Sequence, residues 1–80
     1  MYLAVTNVFP IKDYNLILTF GNGEKRRFDM KPYLNRGIFR ELKDIDMFNS
    51  VRVCFDTIEW ANEADLDPET LYQSSVLLNE

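Results

Sequence analysis

Residues 14–30 read YNLILTFGNGEKRRFDM, which is two alternating segments around a Gly-Asn-Gly turn. Apolar residues recur at every second position on both sides of the turn, as is typical of strands that bury one face. A three-residue loop places Leu16 opposite Phe28, whereas a two-residue loop places Leu16 opposite Asp29. Because a slip of one residue turns every side chain to the other face, the three-residue loop is predicted. Gly23 supplies the left-handed conformation that its last position requires.

A further strand is expected before this hairpin, over residues 3–11. Pro10 places the end of this strand at a sheet edge or a bend, because proline cannot donate to a ladder. Asn7 is the exception to an otherwise apolar face. Period-two spacing gives that face four members, which are Leu3, Val5, Phe9 and Ile11.

Two more strands are expected after the hairpin, one over residues 51–55 and one around Ile58 and Trp60. A tight turn at Asp56-Thr57 would pair Phe55 with Ile58 and Val53 with Trp60, all on one face.

Helices are predicted in the middle of the chain and near its end. Residues 38–43 form a short helix, and residues 46–49 form a turn or a single helical turn. Ile38, Phe39 and Leu42 are expected on one side of the first of these. The last helix has the clearest signals, because Asp67 is a good N-cap, Pro68 suits the first position and Glu69 suits the positive end of the dipole. Its apolar stripe is Leu71, Tyr72 and Val76.

These elements predict an α+β fold, formed by one domain over residues 1–80. About five strands make a small antiparallel sheet in the order β-β-β-α-β-β-α, with a short middle helix and a C-terminal helix packed on one face. The hydrophobic content of 46% and aromatic content of 14% argue against disorder.

The composition leaves little catalytic chemistry. Histidine is absent, which removes the usual base near neutral pH and a common metal ligand. The single cysteine, Cys54, excludes an internal disulfide and is expected to pack as a small side chain. The acidic run over residues 56–69 lacks a calcium-loop pattern. We therefore expect no enzyme, no cofactor and no metal site. With no membrane span or leader in the sequence, we expect a cytoplasmic protein.

Charge is unevenly distributed along the chain. Residues 1–43 carry a formal charge of +4 and residues 44–80 a charge of −8. Two interpretations remain open, namely two solvated surfaces of one globule, or a dipolar surface that steers a partner or stacks copies of the chain.

The basic stretch over residues 25–43 is the one feature of the sequence that could bind nucleic acid. Strand geometry sends Lys25 and Arg27 to the face opposite Arg26, and the pI of about 4.7 is unlike that of a nucleic-acid binder. The tail over residues 76–78 has three consecutive apolar residues, so it either frays or packs against a partner or a second copy. The expected interaction surface comprises Arg26, Arg36, Arg40, Val76, Leu77 and Leu78.

Three segments of the chain resemble one family. They are the hairpin at 18–23, the stretch from Phe28-Asp29-Met30 to Gly37-Ile38-Phe39, and the segment 58–72 with its Trp, Asp, Asp-Pro-Glu and Leu-Tyr. Together they resemble the small bacterial proteins of domain-of-unknown-function family 2442. The resemblance implies a compact α+β domain, found alone or fused ahead of a helix-turn-helix domain. Stand-alone members often look like partners of a neighbouring small protein, in a toxin–antitoxin-like arrangement. No catalytic or binding residues are established for the family. A glycine is frequent in it where this chain has Glu63.

The last segment also has a structural interpretation, which we favour over a ligand site. In this interpretation Trp60 is a large apolar anchor. Asp65 braces the loop backbone, and the helix begins with Asp67, Pro68 and Glu69. Leu71 and Tyr72 form the apolar face of that helix. The leading functional hypothesis is a non-enzymatic protein-interaction module, with one half of a two-gene bacterial pair as its context. The alternatives are a nucleic-acid adaptor that uses residues 25–43 and a small-ligand sensor with its pocket near Trp60 and Tyr72.

Overall fold

The computed structural model describes residues 3–78. Its strands are β1 (Val5–Ile11), β2 (Asn15–Phe20), β3 (Lys25–Asp29), β4 (Arg52–Cys54), β5 (Thr57–Glu59), β6 (Asp65–Leu66) and β7 (Val76–Leu77). Its helices are two 3₁₀ helices (Lys31–Tyr33 and Gly37–Lys43), α1 (Ile45–Phe48) and α2 (Pro68–Gln73).

The α+β class is confirmed, but the strands form two antiparallel sheets where the sequence predicted one sheet of about five strands. Sheet A has the order β1-β2-β3-β7, and sheet B has the order β4-β5-β6. The predicted order of the first five strands and the two principal helical regions is present. The short strands β6 and β7 were not predicted, because a two-residue strand leaves no periodicity to detect.

The β2–β3 hairpin has the predicted register. Leu16 lies opposite Phe28, and the amide of Phe20 donates to the carbonyl of Glu24 at 2.9 Å across the three-residue loop. Gly23 has a φ of 88°, which is the left-handed conformation that the loop requires.

A bulge changes the alternation of β1. Val5 pairs with Phe20 and Asn7 pairs with Thr19, so Thr6 is an extra residue on the β1 side. Beyond the bulge the faces are exchanged, and Val8 packs against the core while Phe9 is 64% exposed. The prediction that Phe9 shares the face of Val5 is therefore wrong. The prediction for Pro10 is confirmed, because β1 is an edge strand of sheet A.

The second 3₁₀ helix explains why Ile38 is not part of the core. Residues three apart lie above one another in a 3₁₀ helix, so Phe39 and Leu42 share a face. Leu42 is fully buried, whereas Ile38 is 45% exposed. The predicted common side for all three residues is wrong for Ile38.

The β4–β5 loop lies one residue earlier than predicted, so each residue of β5 pairs two positions earlier along β4 than expected. Val53 pairs with Ile58 and Cys54 pairs with Thr57, so the two-residue loop is Phe55-Asp56. The predicted pairings of Phe55 with Ile58 and of Val53 with Trp60 are therefore wrong. The carbonyl of Asp56 accepts a hydrogen bond of 2.9 Å from the amide of Val5, which attaches this hairpin to the free edge of β1.

The core lies between the inner face of sheet A, sheet B and the helices. Trp60 is fully buried, and its indole nitrogen donates to the carbonyl of Phe48 at 3.0 Å. Other fully or almost fully buried side chains are Leu16, Leu18, Phe20, Phe28, Met30, Leu42, Phe48, Ile58 and Leu71.

The start of α2 is confirmed. Asp67 is its N-cap, and the Asp67 carboxylate accepts from the amide of Thr70 at 3.1 Å. The helix ends at Gln73, so Val76 is not part of its apolar stripe. Val76 belongs to β7, and that part of the prediction is wrong.

Candidate interaction surfaces

An outer row of four side chains crosses sheet A on the face opposite the core. Phe9 pairs with Ile17, Ile17 pairs with Arg27, and Arg27 pairs with Val76. Directly paired residues of antiparallel strands lie on the same face, so the row spans all four strands. Phe9 at one end is 64% exposed and Val76 at the other end is 57% exposed. We call this set, Phe9, Ile17, Arg27 and Val76, the outer row.

Charged groups border the β7 end of the outer row. Lys25 and Asp29 lie on the same face of β3 as Arg27, two positions away on either side. The ammonium group of Lys31 lies 3.1 Å from the Asp29 carboxylate and donates to the carbonyl of Asp13 at 2.9 Å. A groove of about 250 Å³ opens here, lined by Asp13, Asn15, Arg27, Asp29, Lys31, Ser74 and Val76.

The apolar tail is paired with its own sheet. Leu77 pairs with Arg26, Val76 pairs with Arg27, and the amide of Leu78 donates to the carbonyl of Lys25 at 2.9 Å. Fraying, one of the two alternatives, is therefore wrong for residues 76–78. All three side chains nevertheless remain at least a third exposed.

Arg26 was predicted at an interaction surface, but its side chain is mostly buried on the core side of sheet A. Its guanidinium donates to the Ser75 hydroxyl at 2.7 Å, to the Ser75 carbonyl at 3.1 Å and to the Glu24 carboxylate at 2.9 Å. The Tyr72 hydroxyl also donates to Glu24, at 2.9 Å. The hydroxyl of Tyr72, followed by Arg26, lowers the pKa of the Glu24 carboxyl. Arg26 therefore acts within the fold.

Arg36 and Arg40 are exposed and lie away from β3 in sequence, at the start and within the second 3₁₀ helix. The Cζ atom of Arg36 lies 5.3 Å from the centroid of the Tyr33 ring. Arg40 donates to the carbonyl of Gly37 at 3.4 Å. The basic residues over 25–43 therefore do not form one continuous surface, because Arg26 and Arg27 lie on opposite faces of β3.

The segment from Trp60 to Tyr72 closes the fold at several points. Trp60 and Leu71 are fully buried, and the Tyr72 ring packs edge-on against Phe20 with 5.1 Å between centroids. Pro68 and Glu69 form the first turn of α2. The brace predicted from Asp65 is supplied instead by Asn62, whose side-chain oxygen accepts from the amide of Ala64 at 3.0 Å. Asp65 is exposed on β6.

Cys54 and the acidic residues of sheet B offer no evident reactive group. Burial, followed by the Glu59 carboxylate, raises the pKa of the Cys54 thiol, which disfavours the nucleophilic thiolate. Within residues 3–78, no group of three or more Cys, Asp or Glu side chains is arranged to hold a metal ion. Within the same range, no helix is long and apolar enough to cross a membrane.

Sequence reasoning missed Phe9 and Ile17 as members of this surface. The hairpin register already places Ile17 and Arg27 together, so that half of the row had a detectable signal. Phe9 had none, because the β1 bulge that turns it outward has no glycine or other marker in the sequence.

Comparison with known proteins gives one match. Residues 5–76 match the model of a family described as protein of unknown function (DUF2442). The chain belongs to this family, which confirms the resemblance of its three segments. Neither the curated proteins nor the solved structures gave a significant match.

Proposed function

We propose that this member of DUF2442 is a non-enzymatic protein-interaction module, and that its partner binds the outer face of sheet A. The outer row carries the proposal, because it brings three apolar side chains onto one face across four strands. Antiparallel sheets commonly expose one face to water, and the side chains on that face are then polar. An apolar row on such a face instead marks an interaction site.

The exposed apolar side chains of the outer row would supply part of the binding free energy, and the rest would come from other contacts of the partner. Burying a large apolar side chain contributes about 1.5–3 kcal/mol relative to leaving it exposed. Phe9 and Val76 are both more than half exposed, so most of this gain is still available to a partner. Phe9 would act as the aromatic anchor that interfaces commonly use.

Two observations favour a protein over a nucleic acid as the partner. Arg26 is engaged inside the fold, and the groove beside Arg27 contains the carboxylates of Asp13 and Asp29. Carboxylates repel phosphates, and the net charge of the chain is −4. A nucleic-acid adaptor would need a continuous basic face.

The cellular setting we propose is the bacterial cytoplasm, with the chain as one member of a two-gene, toxin–antitoxin-like pair. This setting comes from the arrangement of stand-alone relatives that the family resemblance implies. The absence of histidine supports a role in binding and not in acid–base catalysis.

Co-purification from the native host, with the neighbouring gene intact, tests the proposal. The tagged wild-type chain should retain a second protein in fixed ratio, and Phe9→Ser should lose it. Ile45→Ser is the matched control, because Ile45 is 49% exposed on α1 and lies outside sheet A. Recovery of monomer alone from the wild type would refute the proposal, as would equal retention by both variants.

A further inference from the structure

The β2–β3 loop contains the one Asn-Gly pair of the sequence, Asn22-Gly23. Asparagine is chemically labile in proteins, because the backbone nitrogen of the next residue can attack its side-chain carbonyl carbon. Glycine at that next position favours the attack, since it has no Cβ and its backbone is little restricted. Asn22 and Gly23 are both exposed at the tip of the hairpin, so water can reach them.

The reaction at such a pair is deamidation, which consumes only water. The Gly23 amide loses its proton, and its nitrogen forms a bond to the Cγ atom of Asn22. The C–N bond of the side-chain amide breaks, and the nitrogen leaves as ammonia with the transferred proton. The five-membered succinimide that remains is then opened by water at one of its two carbonyls. The products are aspartate and isoaspartate, in which the main chain runs through the side-chain carbon.

Two hydrogen bonds oppose this reaction in the folded loop. The amide of Gly23 donates to the carbonyl of Phe20 at 2.9 Å, which retains the proton that the attacking nitrogen has to lose. The side-chain oxygen of Asn22 accepts from the amide of Glu24 at 3.0 Å, which fixes its carbonyl group in an Asx turn. Both bonds have to open before the ring can close, so the reaction requires local opening of the loop.

We propose that Asn22 is a site of spontaneous deamidation whose rate is set by opening of the β2–β3 loop. The inference is independent of the proposed function, because it uses no residue of the outer row and needs no partner.

The β5–β6 loop offers a comparison within the same chain. The amide of Glu63 donates to the carbonyl of Trp60 at 2.9 Å, and Asn62 accepts from the amide of Ala64 at 3.0 Å. These are the same two bonds as in the β2–β3 loop, but here a glutamate follows the asparagine. The Cβ of Glu63 hinders attack on Asn62 whether the loop is closed or open. Asn62 should therefore stay intact while Asn22 reacts.

The two products should affect the hairpin differently. Aspartate at position 22 keeps the loop length and an oxygen that can accept from the amide of Glu24. Isoaspartate adds one carbon to the main chain of a loop whose length sets the register of Leu16 with Phe28. The separated isoaspartyl form should therefore unfold at a lower urea midpoint than Asn22→Asp.

Peptide mapping by mass spectrometry, after incubation of the purified chain at mildly alkaline pH, tests the inference. Deamidation at Asn22 should be at least about tenfold slower in the folded chain than in the chain unfolded in guanidinium chloride, as expected when two hydrogen bonds must first open. A synthetic peptide of residues 18–26, measured with and without denaturant, corrects for any direct effect of the denaturant. Asn22→Ser should lose the signal, which assigns it to this position.

Glu63→Gly provides the decisive comparison, because it places an Asn-Gly pair in the β5–β6 loop. In the unfolded variant, Asn62 and Asn22 should react at about the same rate. In the folded variant, Asn62 should react several-fold more slowly, because its amide nitrogen also donates to the Glu41 carboxylate at 2.9 Å. Adding Glu41→Ala should remove this difference. Thermal unfolding checks that both variants are folded.

Three results would overturn the inference: an Asn22 that stays intact in the folded chain, an Asn22 that reacts equally fast in the folded and unfolded chains, or a wild-type Asn62 that reacts as fast as Asn22. An isoaspartyl form as stable as Asn22→Asp would overturn the effect on the hairpin.

Discussion

The guanidinium carbon of Arg26 lies 4.2 Å from the centroid of the Tyr72 ring. This contact joins β3 to α2, and the hydrogen bonds from Arg26 to Ser75 join the same strand to the segment before β7. The Arg26 side chain thus contacts both α2 and the segment before β7. The hydrogen bonds from Arg26 to Ser75 thus help to hold the exposed tail against sheet A.

Replacing Arg26 should therefore destabilise the whole C-terminal segment. We expect Arg26→Met to lower the free energy of unfolding by about 2 kcal/mol, because hydrogen bonds to Ser75 and the contact with Tyr72 are lost together. Urea unfolding measures the change. Arg27→Met is the control, since Arg27 is exposed on the opposite face and should change stability by no more than about 0.5 kcal/mol. Equal effects of the two substitutions would contradict this role for Arg26.

Two hairpin loops in the chain share one hydrogen-bond pattern. In the first, Phe20 and Glu24 are joined backbone to backbone, and Asn22 accepts from the amide of Glu24. In the second, Trp60 and Ala64 are joined in the same way, and Asn62 accepts from the amide of Ala64. The left-handed position is Gly23 in the first loop and Glu63 in the second, with φ values of 88° and 71°.

Glu63→Gly should stabilise the protein by about 0.5–1 kcal/mol. The left-handed conformation costs a non-glycine residue about 1–2 kcal/mol, and the extra freedom of glycine in the unfolded chain offsets part of the gain. Gly23→Ala should lower stability by about 1 kcal/mol, with no steric contribution because the space around an added Cβ is open. Thermal and urea unfolding of both variants measure the effects. A destabilised Glu63→Gly protein would show that the Glu63 side chain has a role that outweighs backbone strain.

Asp67 should make stability depend on acid pH. The side-chain hydroxyl of Thr70, followed by its amide, holds the pKa of the Asp67 carboxyl below its ordinary value. A carboxyl with a lowered pKa in the folded state contributes stability above its unfolded pKa of about 3.9 and loses that contribution as the pH falls through the folded pKa.

Asp67→Asn should accordingly be less stable than the wild type at neutral pH, by about 0.5 kcal/mol, because asparagine caps well but lacks the charge. The difference should shrink as the pH falls below the unfolded pKa of about 3.9 and through the lower folded pKa, because the aspartate loses its charge there. Urea midpoints across this range measure the difference between the two proteins. Glu24, whose pKa is also lowered, titrates in both and cancels. A gap that persists or widens in acid would be inconsistent with a charged cap.

The elements that were predicted correctly are those whose sequence signals lie within a few residues of one another. The Gly23 loop, the register of Leu16 with Phe28, and the Asp67 cap depend on turn and cap chemistry that the sequence states directly. The outward turn of Phe9 depends on a bulge with no marker, and β7 depends on the long-range contact of Arg26 with Ser75. The outer row as a unit was missed for the same reason, although Val76 was expected at an interaction surface. It is assembled by pairing among four strands, and no single segment contains it.

Phe55 offers the last prediction, which tests the energetic cost of its positive φ in the β4–β5 loop. Phe55→Asn should raise the free energy of unfolding by about 0.5–1 kcal/mol, because asparagine tolerates a positive φ better than phenylalanine. Almost no packing is lost, since the ring is 96% exposed. The reference is Phe9→Asn, which changes an exposed aromatic in regular strand conformation and should not stabilise the protein.

Urea unfolding gives the stability of both variants relative to the wild type. A stabilised Phe55→Asn protein would show that the positive φ strains phenylalanine at this position. If the substitution destabilised the protein, the Phe55 ring would instead contribute to folding by more than the cost of its backbone conformation.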